Sequence, residues 1–326
     1  MINKPLPRVF PDGVRTGLRH WAEFIAVRGV VCFLQTIPLA WCEPLSRFLG
    51  WLANDVLRIR KTVTDANLAH VFPDLDDQTR QQLGRQMWQH LILMVCEVAQ
   101  APRRIHDTNW RNYVQIRDKA LMTRYFLDWR PVVMVSGHLG NFELAVYITG
   151  ILGIPTYAIA RPLDNPFMHR WLQQFRERRG QFILPTAGSA SQIQKVLDSG
   201  GMLSLLGDQH AGTKGCWVDF MGRPASCHKA VALFTLSGQA PMLVSYTVRR
   251  GGPLELEVGC HAIADPLDLD PRLADVRSLT QWYNCRLEEL IRRWPEQYWW
   301  LHRRWKERPR RRVPGRNKAG RADQAA

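Results

Sequence analysis

Apolar residues recur along this chain in two rhythms. Short aliphatic runs at Val132–Val135, Thr156–Ala160, Met202–Leu206 and Leu243–Val248 read as strands, the first covered on both faces. Between them the spacing lengthens toward 3.6 residues. Leu83, Met87, His90, Leu91, Met94 and Val98 share one side of a helix predicted over Gln78–Gln100, behind a polar turn at Asp74–Asp77. Further helices are predicted over Phe167–Arg179, over Ser189–Leu197 with Ser189 as cap, from about Lys229 to Leu236, and over Leu273–Trp294. Phe182–Leu184 reads as a short strand, Gly212–Ser226 as a glycine-bearing loop, and Leu254–Val258 as a strand hairpinned to Leu243–Val248 through Gly251-Gly252. Strands alternating with helices make the chain α/β.

The N-terminal region follows a different pattern. Trp21–Leu57 is apolar, carries no charge between Arg28 and Glu43, and spreads Trp21, Trp41 and Trp51 along its length. A helix over Gly29–Cys42 would reach only about 21 Å, short of a hydrocarbon core of roughly 30 Å. Pro38 and Pro44 interrupt it, and a longer span would bury Arg28 or Glu43 at a few kcal/mol each. One or two helices lying in or dipping into a membrane interface are expected; a buried core helix is the alternative.

Charge sharpens that picture. The 326 residues hold 44 Lys+Arg against 29 Asp+Glu, a net +15, which favours anionic partners such as nucleic acid, anionic lipid or an acidic protein. Thirteen tryptophans tilt the choice toward a membrane interface, and no nucleic-acid module is recognisable. Seven scattered cysteines without a Cys-x-x-Cys pair suit reduced thiols in the cytoplasm. A zinc site from His210, Cys216, Cys227 and His228 would match none of the usual ligand spacings.

The candidate chemistry sits where the first run ends, at Ser136-Gly-His138-Leu-Gly140-Asn141-Phe-Glu143. Leu144, Ala145, Ile148 and Leu152 follow at helical spacing, so His138 is expected in a turn between strand and helix. In open α/β sheets ligands bind at the carboxyl ends of strands. Five residues of regular helix rotate by about 500°, so His138 and Glu143 meet only if the helix begins after the histidine. Glu143 in the first turn would then hold one imidazole nitrogen and leave the other free as a general base. Two more strand ends carry polar groups: Arg161, a planar fork for phosphate or carboxylate, and Asp208 with Gln209, placed to anchor Arg161 or another base. The Gly-x-Ser-x-Gly elbow, the Walker loop and the dinucleotide glycine fingerprint are absent. The sharper hypothesis is base-assisted transfer with no protein nucleophile and no metal.

These residues resemble a known family. The His138–Glu143 stretch, Arg161-Pro162 with Asn165-Pro166, Asp208-Gln209, Phe220-Met-Gly-Arg-Pro-Ala225 and Pro295-Glu-Gln-Tyr-Trp-Trp-Leu-His-Arg303-Arg304 occur in the order of the late acyltransferases of lipid A biosynthesis. These are the lauroyl/myristoyl transferase-like group of the lysophospholipid acyltransferase superfamily. Asn67-Leu with Phe72-Pro73 resembles that family's early motif, and the likeness runs from about Trp21 to Arg308.

The resemblance implies O-acyl transfer from a thioester, acyl carrier protein or coenzyme A, to a hydroxyl of a lipid A-type acceptor. His138 would be the base and Glu143 its partner, with no covalent enzyme intermediate and no cofactor. Substrate-binding residues would be Asn67, Gly140, Asn141, Arg161, Asn165, Asp208, Gln209, Arg303 and Arg304, and turn amides at 137–141 would stabilise the oxyanion. It also implies an α/β acyltransferase domain over 58–307, with a mixed central sheet flanked by helices. Membrane-associating helices would precede it in 1–57 and a disordered basic tail follow in 308–326, at the cytoplasmic face of an inner membrane. Two other readings stay open: acylation of another glycolipid or phospholipid, and a basic membrane- or nucleic-acid-binding protein with a relict site.

Overall fold

The computed structural model describes residues 17–186 and 188–306; the tail expected over 308–326 lies outside the described residues. The Val132–Val135 run becomes β2 (Val132–Ser136). Its alternation explains the uninterrupted hydrophobicity, because Val133 and Val135 face one core cluster and Val132 and Met134 the other. Burying each such side chain stabilises by roughly 1.5–3 kcal/mol, so the strand needs cover on both sides.

Around β2 a seven-stranded sheet forms in the order β1-β9-β8-β2-β5-β3-β4. Its other members are β1 (Val114–Ile116), β3 (Thr156–Ala160), β4 (Gln181–Pro185), β5 (Met202–Leu206), β8 (Met242–Arg249) and β9 (Leu256–Ala264). Every neighbouring pair is parallel except β8 with β9. The chain leaves β2 toward β3 on one side and returns to β8 on the other, which makes the carboxyl end of β2 a topological switch point, where ligands bind in open α/β sheets. The segment expected as the loop Gly212–Ser226 instead contains a separate antiparallel hairpin, β6 (Cys216–Phe220) with β7 (Arg223–Cys227). Met221 and Gly222 turn it at positive φ, a geometry suited to a two-residue hairpin turn.

Helices α8 (Ala190–Asp198), α9 (Ala230–Ser237) and α10 (Val276–Arg293) pack on one face of the sheet, and α5 (Lys119–Phe126) and α6 (Phe142–Ile151) on the other. A long helix, α4 (Asp77–Arg104), contributes to both clusters. Its cap Asp76 accepts from the Thr79 N–H at 2.7 Å, and α3 (Lys61–Val71) lies against it.

The N-terminal region forms two helices, α1 (Leu18–Thr36) and α2 (Leu39–Trp51), broken at Pro38, then a π-helical turn over Leu52–Val56. Pro44 sits inside α2 without ending it. Among the described residues no helix is long and apolar enough to cross a membrane. Leu34 and Cys42 pack with Leu93, Cys96 and Ala99 of α4, while Leu18, Trp21, Phe33, Trp41 and Phe48 remain exposed. The region is thus partly core on one side and bare apolar surface on the other. Phe24 and Arg28 of α1 meet Phe167 and Trp171 of α7 (Pro166–Glu177).

Candidate active site

Parallel pairing of β2 with β5 sets Ser136 beside Leu206. Two residues beyond each strand end stand His138 and Asp208, brought together by that register across 70 positions of sequence. Asp208 Oδ1 is 2.8 Å from His138 Nδ1, and Oδ2 accepts the His138 backbone N–H at 2.8 Å. The carboxylate therefore accepts a hydrogen bond from Nδ1–H, which keeps the proton on Nδ1 and leaves Nε2 with its lone pair outward. Gln209 Nε2 lies 3.1 Å from that nitrogen. Phe142 and Trp299 flank the imidazole edge-on, at 4.8 and 5.5 Å between ring centres.

Burial works against a charged His138, but the Asp208 charge and hydrogen bond, with a smaller push from Glu143, outweigh it and raise its pKa. Burial likewise acts to raise Asp208, yet the charge and bonds of His138, helped by Arg304, hold it down at about 2. Each partner stabilises the other's ionised form.

Glu143 does not orient the base as expected. Its carboxylate accepts both contacts from Arg176 Nη2 of α7, at 2.8 and 3.0 Å, so α6 turns it away and Asp208 fills that role. Of the two roles expected of Asp208, anchoring Arg161 or another base, the structure gives the second through His138, while Arg161 is exposed beyond β3 and paired with Asp164 at 2.7 Å.

Several residues expected at the substrate instead build the frame. Asn67 Nδ2 donates to the carbonyls of Trp300 and His302 at 2.7 and 2.9 Å. Asn165 caps α7 through the N–H groups of Phe167 and Met168 and donates to His20 O of α1. Asn141 caps α6 through the Leu144 N–H. Gly140 holds φ +60°, and a Cβ there would stand 1.9 Å from Thr247 O, so only glycine fits. Buried Arg304 donates to Ser226 O at 2.7 Å and Gln209 O at 3.3 Å, leaving it a clamp on the β5 loop, while Arg303 is exposed.

The turn amides are also committed. The N–H of His138 goes to Asp208, that of Gly140 to Gln297 O at 2.9 Å, and that of Asn141 to Thr247 O at 2.8 Å. Three of the amides expected to hold an oxyanion are therefore occupied by structure.

Sequence reasoning missed the support beneath the turn. Glu97 of α4, fully buried, accepts from Asn141 Nδ2 at 2.8 Å and from Arg249 Nη2 and the Leu254 N–H. His90, two turns of α4 away on the same side, lies 3.2 Å from Gly140 O and 3.0 Å from Arg249 Nη1. Burial, with the Arg249 charge, pushes His90 down to about 3 and keeps it neutral. The polar letters Glu97 and His90 inside an apolar helical stripe were the available signal. The Pro295–Arg304 motif grips from above: Trp299 N–H donates to His138 O at 3.0 Å, and His302 Nε2 accepts the His210 N–H at 2.9 Å.

The chain is 26% identical over 301 residues to the lipid A biosynthesis lauroyltransferase of Escherichia coli K12, covering 89% of this chain and 93% of that one. It is 25% identical to the palmitoleoyltransferase of the same organism, with the same coverage. It is 25% identical to a lipid A biosynthesis acyltransferase of Haemophilus influenzae over 96% and 99% of the two chains. A solved 1-acyl-sn-glycerophosphate acyltransferase from Thermotoga maritima overlaps at a TM-score of 0.37 and 11% identity, across 81% of this chain and 98% of that one, too distant to carry an argument. The family model for bacterial lipid A biosynthesis acyltransferase matches residues 14–307. The chain belongs to the bacterial lipid A biosynthesis acyltransferases and is an acyltransferase enzyme.

Proposed function

We propose that the protein moves a fatty acyl group from a thioester donor directly to a hydroxyl of a lipid A-type precursor, with His138 as general base. The observation that carries this reading is the Asp208–His138 pair, which fixes the Nδ1 proton and presents the Nε2 lone pair at a strand end. The acceptor O–H gives its proton to Nε2 as its oxygen bonds to the thioester carbonyl carbon. The tetrahedral oxyanion collapses, the C–S bond breaks, and the imidazolium returns the proton to the leaving thiolate. No enzyme nucleophile enters the sequence, in keeping with an amide, Gln209, on the reactive nitrogen.

The net charge of +15 suits an acidic carrier-protein donor and an anionic membrane alike. Exposed Trp21, Phe33, Trp41 and Phe48 on α1 and α2 support docking of this end at the cytoplasmic face of an inner membrane. Arg161, exposed just past the carboxyl end of β3, would bind the acceptor's anionic headgroup.

Lipid mass spectrometry of a deletion strain, with and without the wild-type gene restored, tests the assignment. The expected result is a lipid A species lacking one acyl chain, whose mass names acceptor and chain length together. An unchanged lipid A profile with an altered phospholipid or other glycolipid would contradict the acceptor.

A further inference from the structure

During acyl transfer negative charge gathers on the thioester oxygen, and donors already in place there lower the barrier. The backbone of the His138 turn is poorly supplied, because the amides of His138, Gly140 and Asn141 already serve Asp208, Gln297 and Thr247. A side chain faces the reacting space instead. Gln209 Nε2 is 3.1 Å from His138 Nε2, and since Asp208 holds the Nδ1 proton, the Gln209 amide N–H must be the donor to that lone pair.

The main chain around Gln209 is fixed while its side chain reaches the base. Its carbonyl accepts from Arg304 at 3.3 Å, and the next residue's N–H is held by His302. An acceptor hydroxyl has to take the amide's place on Nε2 before it loses its proton. The displaced amide N–H is then free, beside the nitrogen that drives the attack, to turn toward the carbonyl oxygen.

We propose that Gln209 is a catalytic residue with two successive partners: the lone pair of His138 at rest, and the thioester oxyanion in the transition state. The inference rests on the base-assisted acyl transfer proposed above. As the new C–O bond forms, the carbonyl π pair moves onto oxygen and accepts the Gln209 N–H. When the C–S bond breaks, the pair returns and the amide is released.

The test is steady-state kinetics of full-length Gln209→Ala with an acyl thioester and a lipid A precursor, varying each substrate across pH. Removing an oxyanion donor should lower kcat by about 10²–10³-fold, with both KM values little changed. The loss should persist on the alkaline plateau, where His138 is neutral in both proteins. The rising limb should also move to higher pH, because a donor to the neutral imidazole has gone. Gln209→Glu, which keeps the shape and lacks the donor, should lose kcat similarly even if the alanine variant folds poorly. A wild-type plateau kcat in a folded variant, or a raised KM at unchanged kcat, would overturn the proposal. His138→Ala separates the two levels. If it is inactive while Gln209→Ala is not, only the oxyanion role fails; if it turns over normally, the base mechanism fails.

Discussion

Asp208→Asn isolates the part of the site that the strand register creates. The carboxylate offers two acceptor oxygens, one to Nδ1 and one to the backbone N–H of His138, each at 2.8 Å. Asparagine has one acceptor and one donor in the same outline. If its oxygen keeps the backbone N–H, its NH₂ faces Nδ1, and the proton must shift to Nε2, where it abolishes the base. The equivalent exchange in a serine-protease triad lowers kcat about 10⁴-fold through the wrong tautomer. The expected loss here is therefore about 10³–10⁴-fold in kcat, with the fold retained. Charge gives a second readout. Asp208 raises the pKa of His138, so the rising limb of the wild-type rate should lie above the ordinary imidazole value of about 6.5. In the variant that limb moves to lower pH while the plateau stays low. Stability follows the opposite partner. Asp208 is depressed to about 2 in the folded protein, so its contribution is present above about pH 4 and fades as pH falls toward 2. The stability gap between wild type and Asp208→Asn should narrow over that range. The assay is acyl transfer followed by mass spectrometry across pH, paired with thermal unfolding. Near-wild-type kcat, or a limb that does not move, would refute the reasoning.

Other expectations are simpler. Glu143→Gln should move the limb to lower pH by less than Asp208→Asn does, because Glu143 acts on His138 only through space; a shift to higher pH would contradict that. Glu97→Ala strands the largely covered Arg249 and the buried Asn141 side chains and should cost about 3–5 kcal/mol in urea unfolding; a loss under about 1 kcal/mol would mean the network contributes little. Replacing Trp21, Phe33 and Trp41 by serine should weaken binding to anionic vesicles without shifting the unfolding midpoint, since all three are exposed. Unchanged vesicle binding would remove α1 and α2 from the membrane face.

The elements that were legible in the sequence owe this to strong local signals. The β2 run, the helix after Asn141 and the apolar stripe of α4 needed only periodicity and caps, and they match the structure within a few residues. β1 and the β6–β7 hairpin were missed because three-residue strands and polar, proline-bearing strands carry little alternation. The site was readable only in part. His138 is marked by local geometry, and so was the pairing with Glu143, which the structure replaces with Asp208. That partner depends on β5 lying beside β2, a non-local fact that no spacing encodes. Asn67, Asn141 and Arg304 carry the resemblance, yet their side chains end on backbone or buried partners. Motif membership marked them without distinguishing frame from substrate contact.

The most direct test of the central claim is the turnover of purified His138→Ala with an acyl thioester and a lipid A precursor, beside an unfolding curve that shows the variant intact. With the base removed, transfer should fall by at least about 10²–10⁴-fold. Wild-type turnover by the folded variant would contradict the account.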